Sequence, residues 1–241
     1  MLVIPAINCK NFKCVKERLE QAAEFLPKAQ SKRWVQIDIS DGKFTKAKSW
    51  NNPKQLQELR SKNYELRNIN IETHLMVSGL RANLKKWVKV SDRVIFHFEK
   101  IDEIEFGFVK RLMKDHNMPG FGIAITPQTP VEIIVPFLGK RGMAWKGKQK
   151  VTRNNAEFKI NFVQLLAVEP GFSGQRFDKL TINKIKFLKK NHPKITIEID
   201  GGMDPKTAKL VKKAGANIIN SGSYIFDSKN PEGAYKKLSE A

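Results

Sequence analysis

The sequence predicts an α/β protein, a single-domain TIM (β/α)8 barrel. Three observations carry this. Short runs rich in β-branched residues recur eight times along the chain. Longer segments with apolar residues at helical spacing lie between them, so strand and helix alternate. No linker divides the 241 residues, a length that α/β barrels commonly fill as one domain. An open doubly wound sheet is the structural alternative. It is disfavoured for a dinucleotide enzyme, because no Gly-x-Gly-x-x-Gly follows the first strand.

The elements follow in order. Leu2–Ile7 is the first strand, and Val15, Leu19, Ala22 and Ala23 mark the helix after it. Val35–Ile39 is the second, with Pro53 near the start of the next helical segment. Asn70–Met76, Arg93–His97 and Phe121–Ile125 are the third to fifth, and Pro130 stands near the start of the segment that follows. Asn161–Val168 leads to a helix carrying Ile182, Ile185 and Leu188. Thr196–Asp200 leads to one with Ala208, Leu210 and Val211 on its apolar side, opened near Pro205 and stopped at Gly215. Asn217–Ser221 closes the series, and Pro231 opens the last helix. Proline in a first turn gives up no hydrogen bond, and glycine after a last turn accepts the left-handed conformation found there.

Composition bounds the function. The chain is 41% hydrophobic and 28% charged, a folding composition. No apolar run approaches the roughly 18–20 residues of a membrane span. The N-terminus has no basic region before a long apolar stretch, which argues against a secretory signal and for a cytoplasmic protein. Two cysteines, Cys9 and Cys14, are too few for a disulfide framework and suit a reduced compartment. Lys+Arg number 44 against 24 Asp+Glu, a net charge of +20 that favours anionic partners. The lysines are scattered, as on solvated helix faces, so nucleic acid is disfavoured as a partner, although the charge leaves it open. The one cluster is a basic loop at about residues 139–160, with Lys140, Arg141, Lys146, Lys148, Lys150, Arg153 and Trp145.

In a barrel of this kind reactive groups sit at the C-terminal ends of the strands, and alternate residues point inward. Gln36 and Asp38 share one face of the second strand, opposite three aliphatic residues. Glu72, His74 and Met76 share a face of the third, and Glu198 and Asp200 one of the seventh. Asp38, His74 and Asp200 therefore converge on one mouth. Three glycine-bearing turns lie on the same rim: Pro170–Gln175, Asp200-Gly201-Gly202 and Ser221-Gly222-Ser223. Small residues let backbone N–H groups close around an anion, so a phosphate site is expected there.

The stretches VQIDISDGKF (residues 35–44), THLMV (73–77), FHFE (96–99), VEPGFSGQRF (168–177), EIDGG (198–202) and SGSYIF (221–226) resemble the ribulose-phosphate 3-epimerase family. They occur in that family's order, and the resemblance covers nearly the whole chain. It implies proton transfer at C3 of a ketose 5-phosphate, interconverting D-ribulose 5-phosphate and D-xylulose 5-phosphate. It also implies a divalent metal ion of the Fe2+, Zn2+ or Mn2+ type held by two histidines and two aspartates. On the matching positions, Asp38 and Asp200 are the acid/base carboxylates and metal ligands, and His74 is a metal ligand beside the substrate. Met76 shields the intermediate. Gly171, Phe172, Ser173, Gly174, Gly202, Gly222 and Ser223 bind the substrate and its phosphate.

The chain also departs from the pattern. Gln36 stands where the family has its second metal histidine, and an amide oxygen is a poorer ligand than imidazole for Zn2+ or Fe2+. Ala6 replaces a serine, and Asn8 replaces a leucine and is expected to take up part of the serine's substrate contact. Ser40 and Leu166 replace two methionines. His97 reads as a supporting histidine, and His116 and His192 as surface or capping residues near helix ends. Two alternatives follow: a 3-epimerase of another ketose phosphate such as allulose 6-phosphate, or a catalytically silent barrel that binds phosphate or nucleic acid. A sugar phosphate is the expected partner, and a homo-oligomer is compatible with the sequence.

Overall fold

The computed structural model describes residues 1–29, 32–116, 120–138 and 160–241. Its strands are β1 (Leu2–Ile7), β2 (Trp34–Ser40), β3 (Asn70–Met76), β4 (Arg93–His97), β5 (Phe121–Ile125), β6 (Phe162–Leu166), β7 (Thr196–Asp200) and β8 (Ile218–Ser221). They pair in chain order, all parallel, and β1 pairs with β8 to close the ring. The predicted TIM barrel is the observed fold. Seven of the eight predicted strands match to within a residue at either end. The sixth is shorter than predicted, ending at Leu166.

The helices are α1 (Phe12–Phe25), α2 (Pro53–Lys62), α3 (Tyr64–Arg67), α4 (Leu80–Trp87), α5 (Glu103–His116), α6 (Thr181–Asn191), α7 (Pro205–Ala214), α8 (Ser223–Phe226) and α9 (Pro231–Glu240). Pro53, Pro205 and Pro231 stand in first turns as expected. Asn11, Asn52, Asp204 and Asn230 cap their helices by accepting a backbone N–H three residues on. The segment after β5 is a 3-10 helix, Val131–Phe137, with Pro136 inside it. A proline there cannot donate the α-helical bond. Gly215 ends α7 at φ 114°.

Parallel strands covered on both faces need apolar residues on both, and the core divides accordingly. Val35, Ile37 and Ile39 of β2 join the layer between strands and helices, with Trp50 and Trp87. Ile4, Ile95, Ala124, Phe162, Leu166 and Ile218 fill the barrel interior. Three expectations are corrected. Leu210 is exposed, because α7 turns Ala208 and Val211 inward and carries Leu210 on its outer side. His192 stands at the C-cap of α6, as the capping half of its reading has it, but is buried there and not on the surface. Cys9 and Cys14 form a disulfide across the turn from β1 into α1, where the sequence reading left them reduced. The Asn11 cap folds that turn back, so cysteines five residues apart come within 5.8 Å, Cα to Cα. The basic loop at 139–160 lies, save Ile160, outside the described residues, as does the His116 side chain.

Candidate active site

The C-terminal ends of β2, β3 and β7 bring Asp38, His74 and Asp200 to one point. Asp38 is opposite His74 in the β2–β3 register, and Asp200 enters from across the barrel. His74 Nδ1 lies 3.5 Å from Asp38 Oδ1 and 3.5 Å from Asp200 Oδ2. At that distance the contacts are ionic rather than well-formed hydrogen bonds, and Nδ1 is a buried atom without a hydrogen-bond partner. Burial opposes a charge on His74, but the two aspartates outweigh it and raise its pKa to about 9. Burial also pushes the Asp38 carboxyl up, and the Asp200 charge adds to that, against the stabilising contacts of His74 and Gln36.

A second histidine fixes the first. His74 Nε2 and His97 Nε2 are 3.0 Å apart, and His97 Nδ1 is 3.1 Å from Glu99 Oε2. Burial would raise the Glu99 carboxyl, but His97, the Thr126 N–H and the Thr129 hydroxyl hold it down to about 2. Burial, reinforced by His74, lowers His97 to about 4 despite Glu99. Glu99 is therefore an acceptor, His97 a neutral donor through Nδ1, and His97 Nε2 the acceptor of the His74 Nε2–H. This leaves His74 Nδ1 facing the carboxylates, with its tautomer set from behind.

Gln36 lies beneath this centre. Its Nε2 donates to Asp38 Oδ1 at 2.8 Å and to Asp200 Oδ2 at 2.9 Å. Its Oε1 accepts from Gln164 Nε2 at 2.7 Å and, closely, from Asn220 Nδ2. Gln164 and Asn220 also donate to Glu198 Oε1, at 2.8 and 3.0 Å. Burial first, then the neighbouring Glu72 charge, pushes the Glu198 carboxyl well above the usual range. Glu72 is raised by burial and held back by Arg93, whose Nη1 donates to Glu72 Oε2. The Arg93 guanidinium is stacked 4.2 Å from the Trp34 ring and 4.0 Å from that of Phe162.

The predicted glycine turns meet above the carboxylates. One cavity is lined by Asn8, Asp38, His74, Met76, Gly171, Phe172, Ser173, Gly174, Asp200, Gly202, Gly222 and Ser223, with Ala6 and Leu166 also in its wall. Gly202 has φ 66°, and a Cβ there would come 2.6 Å from the Phe177 nitrogen. A Cβ on Gly222 would come 2.8 Å from the Ala6 carbonyl oxygen. Asn8 Nδ2 donates to the Gly171 carbonyl at 3.3 Å, tying β1 to the Pro170–Gln175 turn. Gln175 Nε2 braces the same turn through the carbonyls of Glu169 and Phe172, leaving the Phe172 ring exposed.

All the predicted site residues except Gln36 reach this cavity; Gln36 is buried below it. The sequence reading did not single out Gln164, Asn220, Arg93 or Glu99. Alternation along β6 and β8, which puts Gln164 and Asn220 on the inward face, was the signal for the first two. Among the described residues, Asp38, His74 and Asp200 offer donor atoms within 4.8 Å of one another, a group able to share a metal ion. Ligands of a tetrahedral ion with bonds of about 2.1 Å lie about 3.4 Å apart. The two 3.5 Å spacings at His74 Nδ1 and that atom's missing partner fit such an ion. Gln36, as oriented, presents hydrogens to it and no lone pair.

Fold and site together define a (β/α)8-barrel enzyme with a carboxylate–imidazole centre at the C-terminal mouth of its strands. The family model of the ribulose-phosphate 3 epimerase family matches residues 2–145 and 141–226. The chain is 30% identical over 201 residues to the cytoplasmic isoform of ribulose-phosphate 3-epimerase from Oryza sativa subsp. japonica, covering 82% of this chain and 77% of that protein. It is 28% identical over 200 residues to the ribulose-phosphate 3-epimerase of Schizosaccharomyces pombe, covering 83% and 77%. The chain belongs to the ribulose-phosphate 3-epimerase family and is an epimerase. Among solved structures, KGPDC from Streptococcus mutans in complex with D-R5P superposes with a TM-score of 0.65 at 13% identity, over 99% of this chain and 95% of that one. The 3-hexulose-6-phosphate synthase of Salmonella typhimurium gives 0.64 at 12%, over 100% and 97%. At these identities the likeness is one of fold. No helix among the described residues is long and apolar enough to cross a membrane.

Proposed function

We propose that the chain interconverts D-ribulose 5-phosphate and D-xylulose 5-phosphate by moving one proton at C3 between Asp38 and Asp200. The observation that carries this is the joining of these two carboxylates from opposite sides of the barrel, through Gln36 and His74, under a glycine-lined mouth. Epimerisation alpha to a carbonyl needs a base on one face of a planar enediolate and an acid on the other. Asp38 and Asp200 supply both, each acting as base in one direction and acid in the other. Burial, with the Asp200 charge, raises the Asp38 carboxyl, the direction that strengthens it as a base. The turns at Pro170–Gln175, Gly201–Gly202 and Gly222–Ser223 hold the phosphate, and Met76 and Leu166 exclude water from the reacting carbon.

Asp38, His74 and Asp200 would hold a divalent cation, and Glu99 and His97 keep His74 in the tautomer that ligates. Such an ion, when bound, stabilises negative charge developing on the substrate oxygens as a Lewis acid. The cytoplasm is the inferred place of work, as the rice relative's name states for that isoform.

The test is proton NMR of ribulose 5-phosphate in D2O with protein stripped of metal and then resupplied with Fe2+, Zn2+ or Mn2+. Deuterium entering C3 together with xylulose 5-phosphate is the expected result. Binding of the sugar phosphate without exchange under any metal would overturn the reading. Exchange with allulose 6-phosphate alone would keep the mechanism and move the substrate.

A further inference from the structure

We propose that Gln36 is a fixed hydrogen-bond bridge across Asp38 and Asp200, held in that sense by Gln164 and Asn220, so that the centre takes a divalent cation through three protein ligands: Asp38, His74 and Asp200. This rests on the reading that the centre holds a cation, and goes on to say what the residue beneath it does.

The geometry assigns the direction of the amide. The two oxygens that Gln36 Nε2 reaches, Asp38 Oδ1 and Asp200 Oδ2, are the same two that lie 3.5 Å from His74 Nδ1. An amide nitrogen has two hydrogens and no lone pair to give a metal, and here each hydrogen meets one carboxylate. Turning the amide over would set Oε1 against both carboxylates and Nε2 against two donors. Every one of its four hydrogen bonds would be lost at once.

The two donors cannot turn to follow it. Gln164 Nε2 is also held by Glu198 Oε1, and Asn220 Nδ2 by Glu198 Oε1 and Glu72 Oε1. Following Gln36 would need both to turn, setting two amide oxygens against Glu198, which burial favours as a neutral acid with one hydrogen to give and which cannot serve both. Arg93 fixes the carboxylate end, because a guanidinium can only donate and keeps its charge. Donors thus converge on Glu72 and Glu198 from Arg93 on one side and from Gln164 and Asn220 on the other, and the same two amides donate to Gln36 Oε1, whose Nε2 donates on to the two aspartates. Gln164 Oε1 and Asn220 Oδ1 are left without partners, the cost of turning both N–H groups toward Gln36. An imidazole at position 36 could ligate; this amide instead screens the repulsion between the aspartates whether or not a cation is present.

The experiment is Co2+ titration of the metal-stripped protein followed by its visible d–d absorption, in wild type, Gln36→Leu and Gln36→His. The expected result is a wild-type spectrum that Gln36→Leu leaves unchanged in band position and intensity, whatever happens to affinity. Gln36→His shifts the bands by adding a nitrogen ligand. A spectrum altered in Gln36→Leu would overturn the bridge and make the amide oxygen a ligand, with the cation reading intact. No Co2+ binding by any of the three proteins would overturn the cation reading and this proposal with it. Because Gln36→Leu strands two buried donors and can fail to fold, a second readout uses wild type alone. In 15N-resolved NMR with Zn2+ bound, the two Gln36 side-chain protons should be hydrogen-bonded and protected from solvent exchange. Rapid exchange of both would overturn the bridge.

Discussion

His74 and His97 meet nitrogen to nitrogen, Nε2 to Nε2, at 3.0 Å, both rings buried and stacked with centroids 5.1 Å apart. They are alike in burial and opposite in charge tendency. His74, facing two aspartates, is raised to about 9, and His97, backed by a single carboxylate, is lowered to about 4. The pair is therefore a one-way contact in which His74 donates. A residue at 97 that cannot accept leaves the His74 ring without a fixed orientation.

His97→Leu should accordingly weaken Zn2+ binding by about 10- to 100-fold, the range usual for losing the partner behind a metal-bound histidine. Competition against a chelator of known affinity measures it. His97→Gln retains an acceptor and should recover part of the loss. Equal losses in both variants would mean that the hydrogen bond is not what His97 supplies.

The same two histidines set a pH dependence of stability in the metal-stripped protein. Between pH 6.5 and about 4 the folded state binds fewer protons at His97 than the unfolded chain does. Its stability is thus whole above pH 6.5 and is lost as pH falls toward 4. His74 has the opposite sign: its contribution is whole below pH 6.5 and is lost as pH rises through about 9. The buried carboxyls of Asp38, Glu72 and Glu198 are raised and slope the other way, so the measure is the difference in urea-unfolding stability between wild type and His97→Gln, which should grow in favour of wild type as pH rises from about 4 to 6.5. A difference level from pH 4.5 to 6.5 would contradict the assignment.

On the proposed mechanism, Asp38→Asn removes one of the two proton carriers while keeping its shape. C3 deuterium exchange should fall by about 10²–10⁴-fold, the usual share of one acid/base group, with sugar-phosphate affinity within a few fold of wild type. Asp200→Asn should behave alike. A large loss of affinity with retained exchange would reassign the aspartates to binding.

Gly222→Ala tests the rim. Its Cβ would meet the Ala6 carbonyl at 2.8 Å, and backbone atoms cannot swing aside. The substitution should raise KM for the phosphorylated substrate by about tenfold or more, since a misplaced grip of about 1.4 kcal/mol already has that effect, with a smaller change in kcat. An unchanged KM would take this turn out of the phosphate site.

Most of the fold was legible because its signals are local. Alternation through Val35, Gln36, Ile37, Asp38 and Ile39 shows which residues face inward, and parallel strands in chain order then bring Asp38, His74 and Asp200 together. What stayed hidden depends on partners far apart in sequence. Which way the Gln36 amide points is decided by Gln164 and Asn220, and the His74 tautomer by Glu99 through His97. The Cys9–Cys14 bond depends on how the Asn11 cap bends one turn, which spacing alone does not express. Leu210 fits the helical period, yet lies at the margin of its apolar arc and faces water.

Closure of the ring by β1 against β8 leaves none of the eight strands with an open edge. Exposed edges are where extended chains recruit one another into aggregates. The folded barrel presents no such template, so clumping must await a breach between two neighbouring strands. Conditions that loosen the barrel, such as the acid range in which His97 gains its proton, should therefore be the ones in which the protein drops out of solution.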